Sequence, residues 1–244
     1  FSATGQLWGN PLYDWEAIEA DGFKWWKQRA RMLRLQADVV RIDHFRGLAA
    51  CWEIPSDAED ATVGRWCESP GHKLLGALTD EFPQLELVAE DLGTITPDVH
   101  ELRDHFALPG MNVLQFAFDG SPHNPHLPAH HRPASVVYTG THDNDTTAGW
   151  AATLDEHQQH LIRTSLSCGD PITDCITNAA IHSASTLAIL PMQDVLRLGT
   201  EARMNVPGTE NGNWTWRLDD LQRIDVNEAA AWRIRLGAAG RLAH

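Results

Sequence analysis

The stretch Arg41-Ile42-Asp43-His44-Phe45-Arg46 directly follows the apolar run Ala37-Asp38-Val39-Val40 and places a carboxylate between arginines at the end of a predicted strand. Side chains alternate between the two faces of a strand, so we expect Arg41 and Asp43 to share a face. An arginine beside a carboxylate favours the charged form that a nucleophile requires. A structural ion pair fits the same pattern, and this stretch alone does not separate the two interpretations.

Four later apolar runs repeat this pattern, because each ends in polar or acidic residues. Helix-like segments separate several of the runs. We therefore expect an α/β fold, a (β/α) barrel whose active site lies at the C-terminal ends of its strands. An open doubly wound sheet is the alternative, although the sequence has no G-x-G-x-x-G or Walker motif. The later runs are Leu85–Ala89 before Glu90, Met111–Phe118 before Asp119, Ser135–Tyr138 before residues 139–145, and Thr186–Met192 before Asp194.

Composition narrows the classes of partner. The chain has 244 residues, of which 43% are hydrophobic, and this is enough for a substantial core. The formal net charge of −14 argues against a nucleic-acid partner, which would normally meet a basic patch, and favours a neutral substrate. No apolar run approaches the roughly 18 residues of a membrane span, so no membrane partner is expected.

The cysteines and the N-terminal residues together predict a cytoplasmic location. The four cysteines, Cys51, Cys67, Cys168 and Cys175, form no C-x-x-C pair. In a chain this long and poor in cysteine, reduced thiols are expected rather than disulfides. Residues 1–5 also lack the charged and apolar regions of a signal peptide.

Four of the tryptophans lie in predicted loops. Trp8, Trp150, Trp214 and Trp216 lie beside Gly, Asn, Thr and Pro, and flat rings with a polar N–H suit the apolar faces of sugar rings.

The histidine-rich run 123–131 is a candidate zinc site by composition alone. Its prolines break helical spacing and no cysteine lies nearby, so we expect a solvated loop and no metal site.

Carboxylates at neighbouring strand ends are what a retaining glycosidase needs. One attacks the anomeric carbon, and the other protonates the leaving oxygen and later deprotonates the acceptor. Asp43 is the candidate nucleophile. Glu90 is the candidate acid/base, because an acidic neighbour, Asp91, and an apolar approach strand would raise its pKa. Asp143 is a candidate third acid that would hold sugar hydroxyls. Turn capping is the structural alternative for Glu90 and Asp91, and an Asx-type turn for Asp143.

Five motifs follow one another along the chain: Gly5–Tyr13, Arg41–Gly47, Ala89–Gly93, Thr139–Asp145 and Ala202–Thr209, the last followed by Asn213-Trp214. Together they resemble one family, the 4-α-glucanotransferases (amylomaltases, or disproportionating enzymes), relatives of the α-amylases. The resemblance implies a barrel of the α-amylase type, (β/α)8, and retaining transfer of a 1,4-α-D-glucan segment to the 4-hydroxyl of another glucan or glucose.

The resemblance also implies roles for individual residues, without a cofactor, metal or nucleotide sugar. By motif match, Asp43 resembles the nucleophile, Glu90 the acid/base and Asp143 the transition-state stabiliser. The remaining residues are expected to contact or orient the α-1,4-glucan substrate. They are Arg41, which orients Asp43, His44 and His142 at sugar hydroxyls, Trp8 in the glucan cleft, and Phe116 and Asp119 on the acceptor side.

Members of that family are considerably longer than 244 residues. Residues 1–244 are therefore expected to be the C-terminal part of a single catalytic barrel domain, about its fourth to eighth strands, and to be inactive or nearly so in isolation. Two other functions stay open. One is an α-amylase-like glucan hydrolase with the same acids, because sequence does not decide whether water or a sugar intercepts the intermediate. The other is a non-catalytic glucan-binding fragment.

Overall fold

The computed structural model describes residues 3–169, 171–220 and 226–242, in two compact units, Phe1–Met111 and Asn112–His244. Each unit contains parallel strand pairs and helices, so the expectation of an α/β protein is confirmed. Among the described residues, no helix combines the length and the hydrophobicity that a bilayer crossing requires. The expectation of one barrel domain over residues 1–244 stays a prediction.

Helices and strands alternate along the first unit. They are α1 Trp15–Ala20, α2 Lys24–Leu33, β1 Val39–Ile42, α3 Arg46–Ala49, β2 Ala50–Glu53, β3 Arg65–Glu68, α4 Gly71–Glu81, β4 Glu86–Ala89 and α5 Pro97–His105.

The parallel pair β1 and β4 organises the first unit. Ile42 lies opposite Ala89, so the two strands end at the same level. Helices α4 and α5 supply apolar side chains to the core beneath this pair, and Leu74, Leu75 and Val99 are completely buried there. Burial of a strand pair under helices is typical of parallel sheets.

A hairpin of β2 and β3 lies within the segment 48–70, which is rich in Pro, Ser, Asp and Glu. Cys51 lies opposite Cys67 and Trp52 opposite Trp66, and the two indole rings are 5.4 Å apart. Cross-strand aromatic pairs stabilise antiparallel strands, and this pairing outweighs the Pro- and Asp-rich composition between the strands.

The second unit also contains both helices and strands. The strand β5, Gly110–Val113, begins in the first unit and ends in the second. The other elements of the second unit are β6 Ser135–Tyr138, α6 Thr147–Ala152, α7 Glu156–Leu166, α8 Ile172–Ile181, β7 Leu187–Ile189, α9 Met192–Val195 and α10 Val226–Ala238. The sheet order is β5-β6-β7, and β6 and β7 are parallel.

Several boundaries in the second unit differ from the sequence prediction. The strand expected over 111–118 ends at Val113, because the Ala117 N–H donates to Leu114 O and closes a 3-10 turn. The segment 147–166 forms two helices rather than one, because Asp155 and Gln158 form a capping box that starts α7. Trp150 consequently lies on α6, half-buried against the core, rather than in a loop.

The expectation that the cysteines are reduced thiols is wrong for one pair. Cys168 and Cys175 form a disulfide between the end of α7 and α8, with Cα atoms 5.8 Å apart, whereas Cys51 and Cys67 are free thiols. The histidine-rich run is mostly exposed or half-buried, as expected of a solvated loop, although two of its residues, Asn124 and His131, are buried. His131 is buried, with Nδ1 2.7 Å from Ser183 Oγ and Nε2 2.9 Å from the His126 carbonyl. Burial lowers the pKa of His131, so its ring favours the neutral form.

Candidate active site

The candidate carboxylates of the first unit lie at the ends of neighbouring parallel strands. Asp43 follows β1 and Glu90 follows β4, directly beyond the Ile42 and Ala89 pair. The Glu90 N–H donates to Ile42 O at 3.0 Å, and the Phe45 N–H donates to Glu90 O at 3.1 Å. The backbone ladder therefore continues one step beyond the strands and fixes Glu90 beside the loop that contains Asp43.

Glu90 is a buried acid, with 9% of its surface exposed. Burial raises the pKa of Glu90 to about 7, because a charged carboxylate loses hydration there. The N–H groups of Leu92, at 3.0 Å, and His44, at 2.6 Å, donate to the carboxylate and lower the pKa, as does the charge of Arg41. The negative charge of Asp43 raises it. Glu90 thus titrates near neutrality, where it can both donate and accept a proton.

Asp91 does not contribute to this effect in the way that the sequence suggests. Its carboxylate is buried and forms an ion pair with Arg103 at 2.5 Å, and it accepts the Met111 N–H at 2.7 Å. Asp91 is therefore a structural anion that joins α5 to the start of β5. One oxygen of Glu90 does cap the following turn, as the structural alternative predicts, because Oε1 accepts the Leu92 N–H.

Asp43 is the exposed member of the pair, with 76% of its side chain accessible. Arg41 Nη2 lies 2.8 Å from Asp43 Oδ1, so the expected ion pair on one face of β1 is present. The Arg41 Nε–H also donates to Met111 Sδ at 3.3 Å, and this contact orients the guanidinium. The arrangement places an exposed carboxylate, accessible to a ligand, next to a buried one that can be protonated near neutral pH.

His44 adopts a left-handed backbone conformation with φ of 47°, and its N–H thereby reaches Glu90. A Cβ at Gly47 would approach His44 Cδ2 at 2.9 Å, so glycine at this position leaves room for the imidazole. The ring itself is exposed. Trp8 lies in an N-terminal loop with 57% of its surface accessible, as its expected role in ligand contact requires.

In the second unit, Asp143 lies in the loop after β6. Asn205 Nδ2 donates to Asp143 Oδ1 at 2.6 Å, and the Arg203 Nη2–H donates to the Asp143 carbonyl at 2.7 Å. His142 Nε2 is 3.4 Å from the other carboxylate oxygen. The Asx-type turn of this loop is built by Asn144, whose Oδ1 accepts the Thr141 N–H and hydroxyl, each at 2.9 Å. The Asp143 carboxylate is therefore held by neighbouring side chains and is not the turn-forming group.

A cavity of about 180 Å³ opens beside this loop. The His142 and Trp214 rings are 5.2 Å apart and tilted at its edge, so an aromatic face and polar atoms are adjacent there. Trp214 has a left-handed φ of 60°, and its N–H donates to Met204 O at 2.7 Å. The lining residues include Thr141, His142, Asn144, Gln193, Arg203 and Trp214.

Phe116 and Asp119, the expected acceptor-side residues, differ in environment. Phe116 is 43% exposed on a 3-10 turn, with its ring 5.8 Å from that of His126. Asp119 accepts the Ser121 N–H at 2.9 Å, and this bond, followed by one from Asn124, lowers the pKa of its carboxyl. Asp119 is thus a turn-forming anion, and its ligand role stays a prediction.

Sequence reasoning missed two residues, Asn205 and Arg203, that contact Asp143. Both belong to the motif Ala202–Thr209, in which no residue type or spacing indicates a contact with Asp143. Asp194 was expected only to be an acid at a strand end. Its carboxylate is buried, and it accepts hydrogen bonds from the Thr139 hydroxyl at 2.5 Å and from the Thr147 N–H at 2.7 Å. Its position after a strand reflects a structural role.

The comparisons decide the family. A family model described as 4-alpha-glucanotransferase (glycoside hydrolase 77) matches residues 1–223. The chain belongs to this 4-alpha-glucanotransferase family. It is 49% identical to the chloroplastic/amyloplastic 4-alpha-glucanotransferase DPE1 of Arabidopsis thaliana over 99% of the chain and 43% of that protein. It is 48% identical to the 4-alpha-glucanotransferase of Thermus thermophilus over 89% of the chain and 45% of that protein.

Solved structures show the same fold. The amylomaltase from Streptococcus agalactiae in complex with acarbose matches with a TM-score of 0.93 and 32% identity, over 100% of this chain and 50% of that one. The amylomaltase from Corynebacterium glutamicum matches with a TM-score of 0.71 and 20% identity, which supports the fold alone. The chain therefore has an amylomaltase-like α/β fold and spans at most half the length of these relatives.

Proposed function

We propose that this chain contains the catalytic carboxylates of a 4-α-glucanotransferase that acts on 1,4-α-D-glucans. The observation that carries the proposal is the strand-end arrangement of the first unit. An exposed Asp43, paired with Arg41 at 2.8 Å, lies next to a buried Glu90 whose pKa is about 7. A retaining glycosyl transfer needs one carboxylate as the nucleophile and a second, protonated carboxyl group as the acid.

In the first step, Asp43 attacks the anomeric carbon of the donor glucan and forms a covalent glycosyl ester. The bond to the leaving 4-oxygen breaks at the same time, and Glu90 gives its proton to that oxygen. The Arg41 guanidinium, 2.8 Å from Asp43 Oδ1, orients this carboxylate for the attack. The His44 N–H, 2.6 Å from Glu90 Oε2, holds the acid in place throughout.

In the second step, Glu90 accepts a proton from the 4-hydroxyl of an acceptor glucan or glucose. The resulting oxygen attacks the anomeric carbon, the ester bond to Asp43 breaks, and the configuration is retained. A pKa of about 7 allows Glu90 to serve as acid and then as base at neutral pH. Neither step requires a metal or cofactor.

The remaining predicted residues would bind the α-1,4-glucan. Hydrogen bonds from Asp143 to sugar hydroxyls would strengthen in the oxocarbenium-like transition state, and Asn205 holds its carboxylate at 2.6 Å. Acarbose in the complex of the Streptococcus agalactiae amylomaltase supports an oligosaccharide-like ligand for this family. The other proposed binding residues are His44, His142, Trp8, Phe116 and Asp119.

The barrel is part of the same proposal. Strands β1, β4, β5, β6 and β7 would be the fourth to eighth strands of a (β/α)8 barrel of the α-amylase type. The match to half of the Streptococcus agalactiae amylomaltase supports this assignment. The cytoplasmic location stays a prediction, since the plant relatives are named chloroplastic/amyloplastic.

The test uses a chimera that joins this chain to the part of the Thermus thermophilus relative that it does not match. Incubated with maltotriose, the chimera should release glucose and longer oligomers without a net gain of reducing ends. Asp43→Asn and Glu90→Gln should each lower this activity by orders of magnitude. Circular dichroism of each variant checks that the fold persists.

The product pattern separates the alternatives. One new reducing end for each cleavage would show a hydrolase and contradict transfer. A folded chimera that binds amylose saturably but forms no products would show a glucan-binding remnant. Turnover that survives Asp43→Asn would remove Asp43 from the proposed role.

A further inference from the structure

A second group of titratable side chains lies in the first unit, away from the two strand-end carboxylates. His72 lies on α4, and Glu101 and His105 lie on α5. One ligand atom from each side chain lies within 4.8 Å of the others. His72 Nε2 is 3.0 Å from Glu101 Oε2, and the His72 and His105 rings are 4.9 Å apart at 80°. Three potential metal ligands therefore converge on one small region of the surface.

The two helices fix these positions through the core. Glu101 and His105 are four residues apart and so project from the same face of α5. A Cβ at Gly71, directly before His72, would collide with Leu48 O and the Leu102 side chain, so the start of α4 lies tightly against its neighbours. Leu74 of α4 and Leu102 of α5 are both buried in the same core. The cluster thus stands on rigid elements.

The donor set selects the class of ion. Two imidazoles and one carboxylate, with room for water in the remaining position, are the ligands of open zinc sites. Magnesium and calcium prefer oxygen ligands, and this site offers only one carboxylate beside two imidazoles, so these ions would bind weakly. His105 is the last residue of α5, where the negative end of the helix dipole favours a cation, although His72 near the start of α4 lies at a positive end.

We propose that His72, Glu101 and His105 bind one divalent transition-metal ion of the zinc class on the surface of the first unit. The ion replaces the hydrogen bond between His72 and Glu101 and joins α4 to α5. The site is independent of the proposed transferase chemistry, since it shares no residue with it. The sequence does not indicate this site, because 29 residues separate His72 from Glu101 and only the packing of the helices brings them together.

The experiment is isothermal titration of the metal-free 244-residue chain with Zn²⁺, then of the variants His72→Gln, Glu101→Gln and His105→Gln. We expect one tight equivalent in the parent chain and at least a tenfold loss of affinity in each variant, as removal of a ligand requires. His100→Gln is the matched control. This exposed histidine lies on α5 next to Glu101 but projects from a different face, and its loss should leave the affinity unchanged.

A spectroscopic readout identifies the ligands even if a variant loses stability. Cu²⁺ bound to the parent chain should show hyperfine lines from two nitrogens, reduced to one in His72→Gln and in His105→Gln. Zn²⁺ should also raise the melting temperature of the parent chain and not of these variants. Absence of binding, or equal binding by the parent chain and all three variants, would overturn the proposal.

Discussion

Glu90 has to hold a proton at a pH at which an ordinary glutamate has lost it. The structure achieves this mainly by burial, which raises its pKa to about 7 in spite of the two N–H donors and Arg41. The same effect makes ionised Glu90 a source of instability. Because its folded-state pKa lies above the unfolded value, the folded chain binds the proton more tightly, and stability falls as pH rises between the two values.

Glu90→Gln should therefore stabilise the chain at alkaline pH. Glutamine keeps an oxygen acceptor for the His44 or Leu92 N–H but never ionises. We expect the free energy of unfolding at pH 8 to rise by about 3 kcal/mol at most, with the gain shrinking to nearly zero at pH 4.5. Urea denaturation followed by tryptophan fluorescence at several pH values measures it. Glu86→Gln, at the exposed start of β4, is the control and should have little effect at any pH. A constant offset across the pH range would contradict the linkage.

The same proton should govern catalysis in the chimera. The first step needs protonated Glu90, so kcat/KM for maltotriose should fall above a pH of about 7, by roughly tenfold for each further pH unit. A glycosyl fluoride donor needs no protonation of its leaving group. Its glycosylation rate should therefore lack this alkaline limb and should survive Glu90→Gln. If both donors show the same limb, the titrating group is not the acid that protonates the leaving oxygen.

At the scale of elements, local signals were predictable and long-range contacts were not. The Arg41 and Asp43 pair follows from alternation along one strand, and it is present at 2.8 Å. The partner of Asp91 could not be predicted, because Arg103 reaches it from α5 through packing rather than spacing. Likewise, 62 residues separate Asn205 from Asp143. Which acids are buried, and with which cation, is decided by the assembled elements.

Asp91 gives a test of this distinction. Its ion pair with Arg103 is buried, with side-chain exposures of 7% and 8%, whereas Asp104, also paired with Arg103, is 51% exposed. Asp91→Asn leaves a buried guanidinium without its main counter-charge and should lower the free energy of unfolding by about 3–5 kcal/mol. Asp104→Asn removes the same charge from the same arginine and should cost less than about 1 kcal/mol. Chemical denaturation of both variants decides the matter, and similar losses would contradict the burial explanation.

At the scale of the whole molecule, the strands differ in how well they are covered. β4, β5 and β6 are almost entirely buried, as parallel strands in α/β proteins normally are. By contrast, Val39 of β1 is 39% exposed, and Leu187 and Ile189 of β7 are 43% and 38% exposed. Among the described strands, β7 lies at the end of its sheet order. Apolar side chains on such an edge invite association with another chain.

The isolated 244-residue chain should therefore self-associate and show no transferase activity, whereas the chimera should be active. In sedimentation velocity at micromolar concentration, replacing Leu187 and Ile189 together by lysine should shift the isolated chain towards the monomer, because charges on an edge strand oppose pairing. Ile234→Lys on α10 is the control: Ile234 is 73% exposed but lies on a helix, so its replacement should change the distribution little. An equal shift towards the monomer in the control variant would show that any exposed apolar side chain promotes association, not the edge strand in particular. Disproportionation of maltotriose by the isolated chain, abolished by Asp43→Asn, would show that these edges need no further cover.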